Sequence, residues 1–417
     1  MGGRSVDIAI VGGGIVGMAC AYELSRQGAG RIAVFDKMAP ASGTTGGSGG
    51  VICRHDLGEI YAVLSLLGYA RVHELAEEHD FGLRHWDAIY VSREPSIPPA
   101  GPGDYHRRFG RPGAKDLYQH EILDARELLE RCPWVKPEGI FGAVNYPREG
   151  FVNPHELAMV YGRVAQQSGQ VEILATNPVL EIRTAGHRVE SLVTRRGIWQ
   201  VGQVLNAAGP WGAKVAAMAG SSLALSAQRI QVCLGTTFDD NIESPPLLGM
   251  GVMLGDEGVW CRGEHGNTMI FAEHRNVTRA DTEVDPDYVN RVNDLDFPSR
   301  VESAYRDYFH LPNTRFLNGW CCVYGSTGDG YPIVARDEHF ENFYHAVGMN
   351  GHGITCSGGV CQLIAELMLR DSTTLDVSHV LPQPGVLDFV GMDNGRFARG
   401  ELFDFELREE RVRLTAD

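Results

Sequence analysis

The feature that most narrows what this chain can fold into lies in its first forty residues. An apolar run, Val6 to Val11, is followed by Gly12, Gly14 and Gly17 in the spacing G-x-G-x-x-G. Ile15 to Gln27 then carries an apolar face at helical spacing. Gly28 to Gly30 ends it, and Arg31 to Phe35 is a second apolar run closed by Asp36. Strand, glycine turn, helix and strand make a complete βαβ unit, which belongs in a buried parallel sheet. Each glycine has its own duty there. Gly12 permits the tight turn, Gly14 lets backbone amides approach a diphosphate, and Gly17 lets helix and strand pack closely. The helix N-terminus turns partial positive charge toward that diphosphate. Asp36 is placed to accept hydrogen bonds from an adenosine ribose, and an acidic residue there disfavours a 2′-phosphate. The unit therefore predicts FAD or NAD rather than NADP.

The next segment bears on that choice. Ala41 to Gly50 reads ASGTTGGSGG, too rich in glycine for an element interior and well supplied with amides and hydroxyls. Such a loop soon after the second strand suits the remainder of a longer cofactor, which favours FAD; the plain alternative is a surface loop.

Composition excludes several other classes. A net charge of -16 leaves no basic face for nucleic acid. No apolar run reaches the roughly 18 residues of a membrane span. An apolar strand starts almost at once, which leaves no room for a secretory signal, and Val6 stands where a myristoylation motif wants Ser or Thr. The nine cysteines include no CxxC pair, and Cys53 with His55 lacks companions at zinc spacing. They read as reduced thiols of a cytoplasmic protein without a metal site. A length of 417 residues suggests two or three domains.

Further along, Ile60 to His79 has helical spacing, and Pro95 to Gly113 reads as an irregular excursion suited to a lid. Asn153-Pro154 with Glu156 starts a helix that runs to about Ser168. Strand-like runs at Val171 to Ile182, Val189 to Thr194 and Trp199 to Leu205 lead into Asn206 to Trp211. Leu223 to Leu311 is a plausible second domain. A strand at Phe343 to Val347, a turn over Gly348 to Gly353 and a helix from about Gly358 to Leu369 follow.

Four of these segments together resemble the D-amino-acid oxidase superfamily of flavoproteins, in its sarcosine oxidase-like and glycine oxidase-like branch. They are Val11 to Asp36, GFVNP at Gly150 to Pro154, NAAGPW at Asn206 to Trp211, and GSTGDGYPIV through GMNGHG at Gly325 to Gly353. The resemblance implies an α/β fold, α+β overall, with a Rossmann-like FAD-binding domain and a discontinuous substrate domain on a mixed, largely antiparallel sheet. Residues 1–80, 148–222 and 314–380 would form the first, 81–147 and 223–313 the second, and 381–417 a C-terminal extension. It implies FAD contacts at Gly12, Gly14, Ile15, Val16 and Gly17, then Asp36 and Lys37. They continue through Ser42, Gly43, Thr44 and Thr45 to Ser48, Gly49 and Gly50. Further contacts are Val179, Ala208, Gly209, Trp211 and Asp329, and the turn Gly351, His352, Gly353, Ile354 and Thr355.

Cys322 lies in Cys-Val-Tyr, where sarcosine oxidases attach their flavin covalently; the bland reading is a small buried cysteine. Arg54 matches an arginine that grips a substrate carboxylate, or else forms a salt bridge within the protein. Tyr324 and His352 line the pocket in this reading. The chain departs from its relatives in three places. Thr355 replaces the lysine that completes the carboxylate clamp, Tyr324 stands where glycine oxidases have arginine, and Met269 to Phe271 offers no oxygen-activating lysine. The implied activity is oxidation of an amine or amino acid, secondary or N-methyl amines favoured, with hydride passing to flavin N5 and oxygen or another acceptor collecting the electrons. The rival readings are a flavin monooxygenase or halogenase using NAD(P)H, an NAD-dependent dehydrogenase and a non-catalytic nucleotide-binding protein.

Overall fold

The computed structural model describes residues 4–54, 59–92, 121–237, 247–250, 258–264, 268–274, 282–310, 313–371, 374–376, 386–388 and 392–394. The expected excursion at 95–113 and most of 381–417 lie outside the described residues. The chain opens with β1 (Arg4–Val11), α1 (Ile15–Arg26), β2 (Ile32–Phe35), β3 (Val51–Ile52), α2 (Glu59–Ala76) and β4 (Arg84–Ser92). Next come β5 (Glu121–Asp124), α3 (Ala125–Arg131), β6 (Gly142–Phe151), α4 (Pro154–Gln167), β7 (Val171–Leu174), β8 (Val179–Ala185) and β9 (Arg188–Thr194). They are followed by β10 (Gly197–Asn206), α5 (Gly212–Met218), β11 (Leu225–Thr237), β12 (Leu247–Met250), β13 (Gly258–Gly263) and β14 (Thr268–His274). The last are α6 (Phe297–Tyr308), β15 (Thr314–Thr327), β16 (Ile333–Arg336), β17 (Phe343–Val347), α7 (Gly353–Arg370), β18 (Thr374–Asp376) and β19 (Val386–Asp388).

The first sheet runs β16-β17-β10-β1-β2-β7, with the β8–β9 hairpin attached to β10. β1 pairs in parallel with both β10 and β2, and Val11 stands level with Asn206 and Phe35. Three strands therefore finish at one edge, from which Gly12, Asp36 and Ala207 depart together. This is where open parallel sheets place their ligands. One face carries α1, α2, α4 and α7 over a large core that includes Ile10, Met18, Tyr161 and Ile364. The other is covered by β8, β9 and α5 through Ile182, Leu192 and Val215.

The second sheet runs β15-β11-β14-β13-β12-β4-β6-β3, antiparallel except for β12 beside β4. β15 pairs with β11 from Leu225↔Thr327 to Thr237↔Thr314. Thr314–Thr327, grouped by sequence with the cofactor-binding segments, thus hydrogen-bonds within this sheet. One face packs on α3 and α6 through Leu128, Val301, Phe271 and Tyr305. The other presents Val232, Ile270, Ala272, Trp260 and Trp320.

α7 begins at Gly353, five residues before the start expected from sequence. The glycines at 358 and 359, poor helix formers, are there for contact. A Cβ on Gly358 would lie 2.9 Å from the Gly68 Cα, and one on Gly359 2.7 Å from the Leu64 Cα. The two longest helices, α2 and α7, cross at backbone distance. Gly68 is the tightest point, since a Cβ there would fall 1.7 Å from the Thr355 carbonyl oxygen. Gly68→Ala should therefore lower unfolding stability by about 1–3 kcal/mol, read as a fall in the urea midpoint, whereas Ala70→Gly on the same helix should cost no more than about 1 kcal/mol.

Candidate active site

A cleft follows the shared strand edge. Gly12 turns the chain out of β1 at φ 112°, and a Cβ there would sit 2.4 Å from the Ala207 carbonyl oxygen, so no other residue fits both backbone and neighbour. Gly12, Gly14, Ile15 and Val16 border the cleft, while Gly17 is buried in the helix–strand contact behind them. Gly14 caps α1 with no side chain, and no acidic residue stands in the first turn. The Thr45 hydroxyl takes the Ile15 N–H at 3.0 Å. Asp36 accepts from the Gly13 N–H at 2.8 Å and the Met38 N–H at 2.7 Å. Burial pushes its carboxyl up, against the downward pull of those two hydrogen bonds.

Asp36, Lys37, Val179, Ala208, Gly209 and Trp211 border one end of the cleft. Ser42, Gly43, Thr44, Thr45 and Ser48 form its side. This loop is fastened to the second sheet, since the Thr44 hydroxyl donates to the Val323 carbonyl and Trp320 Nε1 to the Gly47 carbonyl at 2.9 Å. Gly49 lies under the Trp260 ring and Gly50 against the Val152 carbonyl, and neither borders the cleft. Tyr324, Gly351, Gly353 and Ile354 also border it. α7 opens there with His352 as N-cap, no capping hydrogen bond and no acid in its first turn. Asn350, which sequence reasoning passed over, braces this turn in a left-handed conformation at φ 48°. Its side chain accepts from the Thr327 N–H at 3.0 Å and donates to the Gly348 carbonyl at 2.6 Å. An asparagine among glycines was the available signal, because asparagine tolerates that conformation.

The remaining candidates are held by partners within the protein. Arg54 is buried, with Nε 2.9 Å from Glu149 Oε1 and the Arg54 N–H on Glu149 Oε2 at 2.8 Å; its guanidinium stacks 4.7 Å from the Tyr69 ring. The Thr355 hydroxyl accepts from the Cys53 N–H at 3.0 Å and donates to the Cys53 carbonyl at 2.7 Å. The His352 ring packs 4.5 Å from Tyr61. Asp329 accepts from the Tyr331 N–H at 3.0 Å in the turn after β15 and does not border the cleft. Cys322 is buried one pleat from Tyr324, with its Cβ 2.8 Å from where a Cβ on Gly47 would stand, and burial pushes its thiol up to about 12. Lys214 and Asp287 also border the cleft and were not among the sequence candidates.

A model of the FAD dependent oxidoreductase family matches residues 7–367. The chain belongs to that family. The hydrogen cyanide synthase subunit HcnC of Pseudomonas aeruginosa is 23% identical over 92% of this chain and 98% of that protein. Glycine oxidase of Geobacillus kaustophilus is 24% identical over 89% and 95%. The crystal structure of L-proline dehydrogenase from P. horikoshii shares the fold, with a TM-score of 0.77 at 21% identity over 96% of this chain and 100% of that one.

The cleft suits the flavin dinucleotide that defines the family. It is bordered by the N-termini of α1 and α7, neither with a side-chain bond from its N-cap, and each favours negative charge. The Ala208–Trp211 wall is itself fixed by a buried polar chain. The Asn206 amide donates to the Gly212 carbonyl at 2.8 Å and to His345 Nδ1 at 3.3 Å. His345 Nε2 then donates to Asp337 Oδ2 at 2.8 Å, and the Ser221 hydroxyl donates there at 2.5 Å. Burial pushes the Asp337 carboxyl up, but hydrogen bonds from His345 and Ser221 outweigh it and hold the group below its ordinary value. A depressed carboxyl stabilises the fold above its unfolded pKa of about 3.9, and that stability goes as pH falls through the folded value. Asp337→Asn should lose about 1–3 kcal/mol at pH 7 and shed this part of the acid limb in urea titrations followed by circular dichroism from pH 7 to 3.

Proposed function

We propose that this family member oxidises the C–N bond of a secondary or N-methyl amine that bears an apolar substituent. The observation that carries the reading is the pairing of a two-helix electropositive cleft with an apolar, aromatic second-sheet face over the Gly47–Gly49 loop. Bound FAD would supply a two-electron acceptor that takes hydride from the carbon next to nitrogen. The first sheet with its helices would be the cofactor body, and the second sheet the roof. Gly12, Gly14 and the α1 N-terminus would hold the diphosphate, Asp36 the ribose, and the α7 N-terminus the ring edge where reduction builds negative charge.

The roof would act on the substrate. Tyr324, Met349 and Ile354 border the cleft beneath it and would offer dispersion contact and exclude water, and desolvation lowers an amine's pKa toward the neutral, reactive form. The Arg54 charge is already met by Glu149, which supports a structural role in tying the segment after β3 to β6. The Thr355 hydroxyl is likewise spent on Cys53. Neither leaves a ready carboxylate anchor, and a free carboxylate is therefore not required of the substrate. The imine product hydrolyses in water, and oxygen takes up the electrons to give hydrogen peroxide. Cys322 faces the loop that would hold the ring and is the position for a covalent link.

Anaerobic additions to the purified yellow protein test this. N-alkyl amines with apolar substituents should bleach the visible flavin band with a second-order reduction rate roughly tenfold or more above sarcosine or glycine. Readmitted air should then return one peroxide per turnover. Bleaching by NADPH alone, or by glycine in preference to the apolar amines, would overturn the reading. Bleaching without peroxide would replace oxygen by another acceptor. Acid denaturation of wild type should leave yellow colour on the protein, and Cys322→Ser should release it; free flavin from wild type would remove the covalent link.

A further inference from the structure

Residues 282–294 are fastened at both ends to the second sheet. Near the start, the Val284 N–H donates to the Ala227 carbonyl at 2.9 Å and Glu283 bridges to Gln228. Near the end, Arg229 donates to the Asn290 carbonyl at 3.0 Å and the Val292 carbonyl at 2.7 Å, and Asn293 Oδ1 takes the Gly319 N–H at 2.6 Å. Between these anchors the chain reaches across to the first body. Asp287 Oδ1 receives Lys37 Nζ at 2.6 Å and Trp211 Nε1 at 2.7 Å, and Oδ2 receives Lys214 Nζ at 2.6 Å. The Lys37 ammonium also sits 3.9 Å from the centre of the Trp211 ring, and Asp285 adds a second carboxylate to Lys214 at 2.5 Å. Lys37, Trp211, Lys214 and Asp287 all border the cleft at the end marked by Asp36.

We propose that residues 282–294 are a strap by which the second-sheet body closes the adenosine end of the FAD cleft, with Asp287 as its latch. The Asp287 carboxylate pairs with both lysines, Asp285 supplying the second negative charge, and orients the indole beside them, holding the wall of the cleft and the strap as one unit. The contacts are at the surface, where each ion pair is weak but salt-sensitive, and the three donors act together. Asp287 is a positioning residue: it governs how readily the dinucleotide leaves, through Lys37 and Trp211, and takes no part in the redox step. The proposal rests on FAD occupying this cleft.

The test measures flavin release from holoenzyme of the Cys322→Ser variant, so that no covalent bond retains the cofactor. The readout is the rise in flavin fluorescence after dilution, at about 0.05 M and about 1 M sodium chloride, where the screening length falls to about 3 Å. With Asp287 intact, release should quicken roughly three- to thirtyfold at high salt. Asp287→Asn keeps an acceptor for Trp211 but lacks the charge. It should release flavin quickly at low salt and respond little to added salt; Lys214→Met should follow it part of the way. Asp287→Glu should restore slow, salt-sensitive release, and circular dichroism should show all variants folded. Equal release rates and equal salt response in Asp287→Asn and its parent would overturn the latch while leaving FAD binding standing. Folded protein that takes up no flavin would overturn both.

Discussion

The structure depends on holding two helix N-termini uncapped beside one solvent-facing cleft. An N-terminus that lacks a capping side chain exposes unsatisfied donors and positive potential, which globular proteins ordinarily cover. Here α1 starts at a glycine and α7 at a histidine that makes no capping bond. The surrounding architecture keeps both ends in place. β1, β2 and β10 stop in register, the Ala207 carbonyl is pressed against Gly12, and Asn350 and Asn206 fix the two turns from beneath. The sheet is the scaffold that sets both termini beside the cleft, with the Thr45 hydroxyl meeting the Ile15 N–H of α1.

The cofactor half was legible because local chemistry dictates it. A tight turn, a close helix and an acid after the second strand can be read off Gly12, Gly17 and Asp36 without knowledge of distant contacts. The first turn of α7 was hidden because Ile354 to Ser357 are weak helix formers, held by tertiary contacts such as the Thr355 hydroxyl on Cys53, about 300 residues away in sequence. The placement of β15 was hidden for a similar reason, since its partner is β11, across a long insertion. Arg54 and Thr355 were legible as polar groups near the site. Their commitments to Glu149 and Cys53 are tertiary facts that no spacing reveals. Lys214 and Asp287 gave no signal in the sequence, because their meeting at the cleft is a tertiary contact.

The second sheet divides its labour by face. The side toward α3 and α6 is an ordinary core of Phe271, Phe297 and Tyr305. The other side spends two tryptophans, Trp260 and Trp320, against a glycine loop rather than against another layer of side chains. Large rings over bare backbone bring the second sheet and the loop into close contact, which only glycine at 49 permits.

The crossing of α2 and α7 has a mechanical consequence. With Gly68 against the Thr355 carbonyl and the Thr355 hydroxyl bonded to both the N–H and the carbonyl of Cys53, the floor beneath the α7 terminus behaves as a single stiff plate. A shift of the α7 terminus is thereby transmitted directly to the segment after β3.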